Sequence, residues 1–225
     1  YNGGGSVLTA TRLASMITGQ FNGQLFARQQ WNSKIEAYFQ ENNPSQLTAN
    51  FTNTIGNTPI NSVNLTKIYV LTTGGTASAS ELVINGLKPY IDVIQIGTKT
   101  IGKNVGSITL YDSPEFTKKD VNPRHKFAMQ PIVIKTLNKN GFGDYQDGLI
   151  PNIEQSENPG NMGVLGNENE PLLNTALGII YGNSKFIPLD GRRFGEEFKS
   201  IKSLQRFGNE MYIINENALF MKNVK

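Results

Sequence analysis

Residues 67–97 read KIYVLTTGGTASASELVINGLKPYIDVIQIG, and this stretch decides the fold. Lys67 to Thr73 is a short β-branched and aromatic run closed by Gly74 and Gly75, the pattern of a buried strand. Ala79 to Leu87 has helical spacing, and Asp92 to Gly97 is a second buried strand. Strand, glycine turn, helix and strand form a βαβ unit, so the two strands are expected to be parallel and the chain to be an α/β protein.

Working outward, Thr9 to Thr18 reads as a helix with Leu8, Leu13 and Ile17 on its buried side. Arg28 to Glu41 reads as a second helix, ended by Asn42, Asn43 and Pro44, and residues 44–66 are polar and turn-rich. Further strands are expected at Ser107 to Tyr111 and at Phe127 to Leu137. Asn140 to Pro151 is turn chemistry, and Leu172 to Ile180 reads as a closing helix after Pro171. From Ile187 the pattern weakens, although Met211 to Ile214 fits a strand. The reading is a domain over residues 1–183 followed by an appendage over 184–225. The opening YNGGG looks like a loop cut from the strand that should precede it, so the domain is expected to lack its leading portion.

Composition excludes several chemistries. The 225 residues contain one His and no Cys, so there is no thiol nucleophile, Cys-ligated metal or multi-His metal centre, and His125 is the sole imidazole for a Ser-His-Asp arrangement. No apolar run reaches the roughly 18 residues of a membrane helix, and the opening residues lack the pattern of a signal peptide. The net charge of +3 resides wholly in Ser184 to Lys225, where eight basic residues face five acidic ones. That is a mildly basic solvated tail, too sparse for a nucleic-acid-binding stripe.

Chemistry concentrates in Thr72 to Glu81, TTGGTASASE. A strand that feeds through glycines into small hydroxyl residues at a helix start lifts a side chain clear of the backbone and aims free amides at what it attacks. Ser78 and Ser80 are the candidate nucleophiles, although Ser at that place is also an ordinary helix N-cap. His125, in the polar run VNPRHKF, is a poor base. Lys103 is the other option: it lies in TKTIGKNVGS, directly after the second strand, and loops at the carboxyl ends of neighbouring parallel strands converge. Gly97 to Asn104 matches a P-loop up to its lysine but has Asn104 where Ser or Thr should hold magnesium, and it runs on into turn and strand rather than helix. Asn138 to Asp147 lacks calcium-loop spacing.

TTGGTASASE followed by IGTKTIGKNVG resembles the C-terminal processing, or tail-specific, proteases, the S41 group of serine peptidases with a Ser/Lys dyad. Ser78 and Lys103 are 25 residues apart, as in that family. YNGGG resembles the end of the family's Asp-Leu-Arg-x-Asn-x-Gly-Gly segment, and DGLIPNI with NEPLLNTALGII resembles the stretch closing its catalytic domain. The resemblance covers about Tyr1 to Tyr181. It implies a crotonase/ClpP-like α/β catalytic domain in which Ser78 is the nucleophile and Lys103 the general base. The N–H of Ala79 and that of Gly4 or Gly5 would form the oxyanion hole, and Glu81 would support the site. Where many members carry a glutamine four residues after the lysine, this chain has Ser107. Pro89 stands where some have an aspartate, and Gly3 replaces the usual proline.

The resulting expectation is an endopeptidase that cuts polypeptides near their C-termini through an acyl-enzyme, with no metal or organic cofactor and no nucleic-acid partner. The Asn-rich style and the GKNVGS variant resemble Bacteroidetes members, which are usually exported, so the cell envelope or periplasm is the expected location. Without its leading strand the chain should associate with another copy or with its missing N-terminal part, or hold glycines 3–5 loosely. The rival expectation is a peptide-binding or scaffold protein that keeps the fold without turnover.

Overall fold

The computed structural model describes residues 2–158, 160, 162–182 and 210–214. The chain order is α1 (Val7–Ile17), β1 (Leu25–Trp31), α2 (Ser33–Asn42), β2 (Thr48–Asn50), β3 (Thr54–Ile55), β4 (Thr58–Pro59), β5 (Lys67–Thr72), α3 (Ala79–Leu87), β6 (Asp92–Gly97), β7 (Val105–Ser107), β8 (Leu110–Tyr111), β9 (Ala128–Met129), β10 (Ile132–Leu137), β11 (Ile153–Glu154), α4 (Pro171–Ile180) and β12 (Met211–Tyr212).

The βαβ reading holds. β5 and β6 pair in parallel from Lys67↔Asp92 to Thr72↔Gly97, and β11 adds a third parallel strand beside β6. A second sheet has the order β12-β7-β10-β1-β2, antiparallel except where β12 meets β7. Helix α3 lies in the main core: Leu82, Ile84 and Leu87 are buried with Phe26 of β1 and with Val7, Ala10 and Ala14 of α1. Burying side chains of this size contributes about 1.5–3 kcal/mol each. Helix α4 packs through Leu172 and Ala176 against Ile96, Tyr69 and Leu71 of the parallel sheet. Its start is fixed by Pro171 in the first turn and by the Glu170 carboxylate, which accepts the N–H groups of Leu172 and Leu173.

Several expectations need correction. The inward face of α1 is Val7, Ala10, Thr11, Ala14 and Ser15, whereas Leu8 and Leu13 are 43% and 49% exposed. The small residues let α1 approach α3 closely, which leucines would prevent. Arg28 to Trp31 is strand, not helix; buried Ala27, Gln29 and Trp31 alternate with exposed Arg28 and Gln30, the strand period, and the helix begins only after Asn32, whose side chain caps it by accepting the Ile35 N–H. The two expected longer strands are each broken, as β7 with β8 and as β9 with β10. Within the segment read as an appendage, Met211–Tyr212 pairs with β7 in the larger sheet, inside the stretch Met211 to Ile214 that fitted a strand, and Met211 is fully buried in the main core; the other residues from 183 onward lie outside the described set.

Candidate active site

Two loops follow the carboxyl ends of β5 and β6, and one carboxylate joins them. Ser78 is the N-cap of α3 and sits at φ 65°, ψ −121°, a region non-glycine residues rarely occupy. This is the strained strand-to-helix turn anticipated from TTGGTASASE. Its side chain is fully buried, and Oγ has no hydrogen-bond partner among the described residues. An unpaired buried hydroxyl costs about 1–3 kcal/mol; Ser78 and Glu81 stand in the arrangement of a capping box, but only its Glu81 half, Oε2 to the Ser78 N–H, closes as a hydrogen bond.

Glu81, one turn into α3 and fully buried, accepts four donors. Oε2 takes the backbone N–H of Ser78 at 2.7 Å and that of Lys103 at 2.8 Å. Oε1 takes the Gly102 N–H at 2.6 Å and the Thr100 hydroxyl at 2.5 Å. The Thr100 hydroxyl in turn accepts the Leu149 N–H at 2.8 Å, so the DGLIPNI segment backs the same loop. The phenol of buried Tyr145, just before that segment, is pushed up from its ordinary value chiefly by burial; its hydrogen bond with Thr136 works the other way, and the Glu81 charge adds a smaller upward push.

The Lys103 side chain does not reach Ser78 Oγ. Its Nζ pairs with Glu210 Oε2 at 2.5 Å, both side chains being largely buried. Ser107, expected to stand in for a longer amide beside the lysine, is occupied elsewhere: its hydroxyl donates to the Met211 carbonyl at 3.1 Å and accepts from Gln130 Nε2 at 2.9 Å. Sequence reasoning missed Glu210, which lies 107 residues from its partner and has no local signature.

The glycine segment lies directly against the serine. A Cβ on Gly4 would fall 2.6 Å from Ser78 Cβ and 2.7 Å from the Ala79 nitrogen, and Gly4 has φ 93°. Its N–H donates to Asn2 Oδ1 at 2.8 Å, so it is engaged rather than aimed at an oxyanion. Asn2 also ties down Ala77 and Ser80, and the Gly5 carbonyl accepts the Tyr212 N–H at 3.1 Å. These bonds tie the glycine segment to α3 and to β12. Ala79 opens α3, so its N–H is among the donors a helix leaves without an internal partner. His125 is far along the chain in a surface loop, bonded to Asp112 at 3.0 Å. No group of three or more His, Asp or Glu among the described residues could hold a metal ion.

Residues 1–115 match the sequence profile of peptidase family S41, a span that includes Gly4, Gly5, Ser78, Glu81 and Lys103. The chain belongs to peptidase family S41. A candidate S41 protease from Bacteroides fragilis NCTC 9343 superposes with a TM-score of 0.67 at 30% identity, over 82% of this chain and 44% of that one. A photosystem II D1 C-terminal processing protease aligns at 19% identity with a TM-score of 0.46, over 76% of this chain and 36% of its own. A lipoprotein from Streptococcus agalactiae aligns at 12% identity with a TM-score of 0.44, over 76% of this chain and 47% of its own. The chain thus spans less than half the length of these structures, and no curated protein sequence matches it. Its α/β architecture is that of an S41 catalytic domain, and Glu210 lies beyond the matched S41 span. No helix among the described residues is long and apolar enough to cross a membrane.

Proposed function

We propose that the protein is a serine endopeptidase that cleaves polypeptides near their C-termini with Ser78 as nucleophile and Lys103 as general base. The observation that carries this reading is the buried, unpartnered Ser78 hydroxyl on a strained turn whose backbone shares the Glu81 carboxylate with that of Lys103. Strain and an orphaned hydroxyl persist only where the surroundings over-determine them, which is the condition of a prepared nucleophile.

In the reaction, neutral Lys103 takes the Ser78 proton as Oγ bonds to the substrate carbonyl carbon. The oxyanion that forms is met by the Ala79 N–H and by the Gly5 N–H, since the Gly4 N–H is bound to Asn2. Lys103 then returns the proton to the departing amine, and water releases the acyl group by the same steps. Polypeptides are the substrate class of the family; the preference for C-termini rests on the likeness of the two motifs to the tail-specific proteases. The cell envelope is the proposed site of action.

A second reading is favoured by one observation: the Lys103 amine faces Glu210 instead of Ser78, as in a binding protein that no longer turns over. Covalent labelling with a fluorophosphonate separates the two. Modification of Ser78 that disappears in Ser78→Ala supports the peptidase; a folded, full-length protein that does not react is the non-catalytic form.

A further inference from the structure

Lys103 must be neutral to take a proton, yet its amine is held against a carboxylate at 2.5 Å. That carboxylate is delivered by a strand built into the domain. Met211 is fully buried in the main core, Ile213 donates its N–H to the Ser107 carbonyl at 3.1 Å, and Tyr212 donates to Gly5 at 3.1 Å. β12 therefore runs between β7, which follows Lys103, and the glycine segment beside Ser78, and Glu210 is fixed at its head.

We propose that Glu210 is a positioning residue that governs when Lys103 acts as a base: it holds the amine as an ammonium turned away from Ser78, and loss of the ammonium proton frees it to swing to Oγ. The inference rests on the dyad assigned above. Among the described residues, the titratable groups bonded to Lys103 are Glu210, just ahead of β12, and Glu81 from α3. Glu81 touches only the lysine backbone, and its two oxygens are engaged by four donors. β7 (Val105–Ser107) and residues 4–6 carry no titratable side chain, and buried Tyr145 remains a neutral phenol. An opposite charge within about 4 Å favours the charged form of a group and burial disfavours it. Glu210 is thus the carboxylate that meets the partly buried amine, and removing its charge leaves burial opposed only by Glu81, whose oxygens are already engaged by four donors.

Two readouts on the full-length protein test this. The first is the pH dependence of acylation of Lys103 by acetic anhydride, followed by mass spectrometry, which needs no turnover. The second is the pH profile of peptide hydrolysis. In Glu210→Gln the labelling midpoint should move down by about one pH unit or more. The rising limb of kcat/KM should move with it, so that hydrolysis at pH 7 increases several-fold. Glu210→Asp, which keeps the charge but shortens the reach, should fall between the two, and it serves if the Gln variant melts early. A labelling midpoint that stays put overturns the proposal, as does one that moves while the hydrolysis limb does not. If the midpoint moves but hydrolysis is indifferent to Ser78→Ala, the dyad itself is refuted, and the control of a base falls with it although the ion pair stands.

Discussion

Ser78 and Lys103, 25 residues apart in the chain, donate their backbone N–H groups to the same oxygen, Glu81 Oε2, at 2.7 and 2.8 Å. A rigid carboxylate therefore sets the spacing of the two loops, independently of where either side chain points. The family's two motifs meet at a third residue that sits inside the first of them.

Glu81→Gln should be the most damaging conservative change in the site. An amide offers one oxygen where the carboxylate serves four donors, and its NH2 would face N–H groups that are left unpaired. Hydrogen bonds to a buried charge are worth about 1.5–3 kcal/mol each, so a loss of at least about 2 kcal/mol in urea unfolding is expected together with loss of hydrolysis. Unchanged stability would mean that the four contacts do not act together.

Ser78→Gly should abolish hydrolysis and raise stability. The change removes an unpartnered hydroxyl and relieves a positive φ, each worth about 1–3 kcal/mol, against roughly 0.5–1 kcal/mol of added chain entropy. Calorimetry should show a melting temperature above that of the wild type. A lower one would show that the hydroxyl has a stabilising partner. Lys103→Arg should be equally inactive, since a guanidinium does not deprotonate at usable pH.

Gly4→Ala should inactivate without unfolding the core. Its Cβ would meet Ser78 Cβ and the Ala79 nitrogen in a backbone conformation that alanine resists, so the segment must back away from the nucleophile. Hydrolysis is expected to fall at least a hundredfold while the far-ultraviolet dichroism is unchanged. Near-normal turnover would show that the glycine segment takes no part in the reaction.

Alkaline stability should depend on Tyr145. Its folded phenol titrates above the ordinary value of 10.0 because it is buried, so above about pH 10 the unfolded chain loses a proton that the folded chain keeps. Stability from this group is whole below pH 10 and falls as pH rises beyond it, by up to about 1.4 kcal/mol per pH unit. Tyr145→Phe should flatten that part of the urea-unfolding profile between pH 10 and 11.5. An identical slope in the variant would assign the alkaline loss to other groups.

What could be read in advance was local. The run from Lys67 to Gly97 carries its own punctuation, with glycines after a strand, a helix opening on small residues and a second strand, and it folds as written. Gln29 and Gln30 misled because they are good helix formers placed in a strand by pairing with Thr136 and Lys135, neighbours far along the chain. Leu8 and Leu13 misled because hydrophobicity alone does not say which face fits against α3; the alanines do. Glu210 was beyond reach, since nothing near it in sequence hints at a lysine 107 residues earlier.

The placement of β12 sets a timetable. Synthesis runs from the N-terminus at about 5–20 residues per second, so Lys103 leaves the ribosome roughly 5–20 s before Glu210 does. Until then β7 lacks its outer neighbour, the core lacks Met211 and the lysine lacks its counter-ion. The newborn chain thus passes through a period in which Ser78 and Lys103 have both been made but Glu210 has not, and the strand that brings Glu210 to the lysine also brings Met211 to the core.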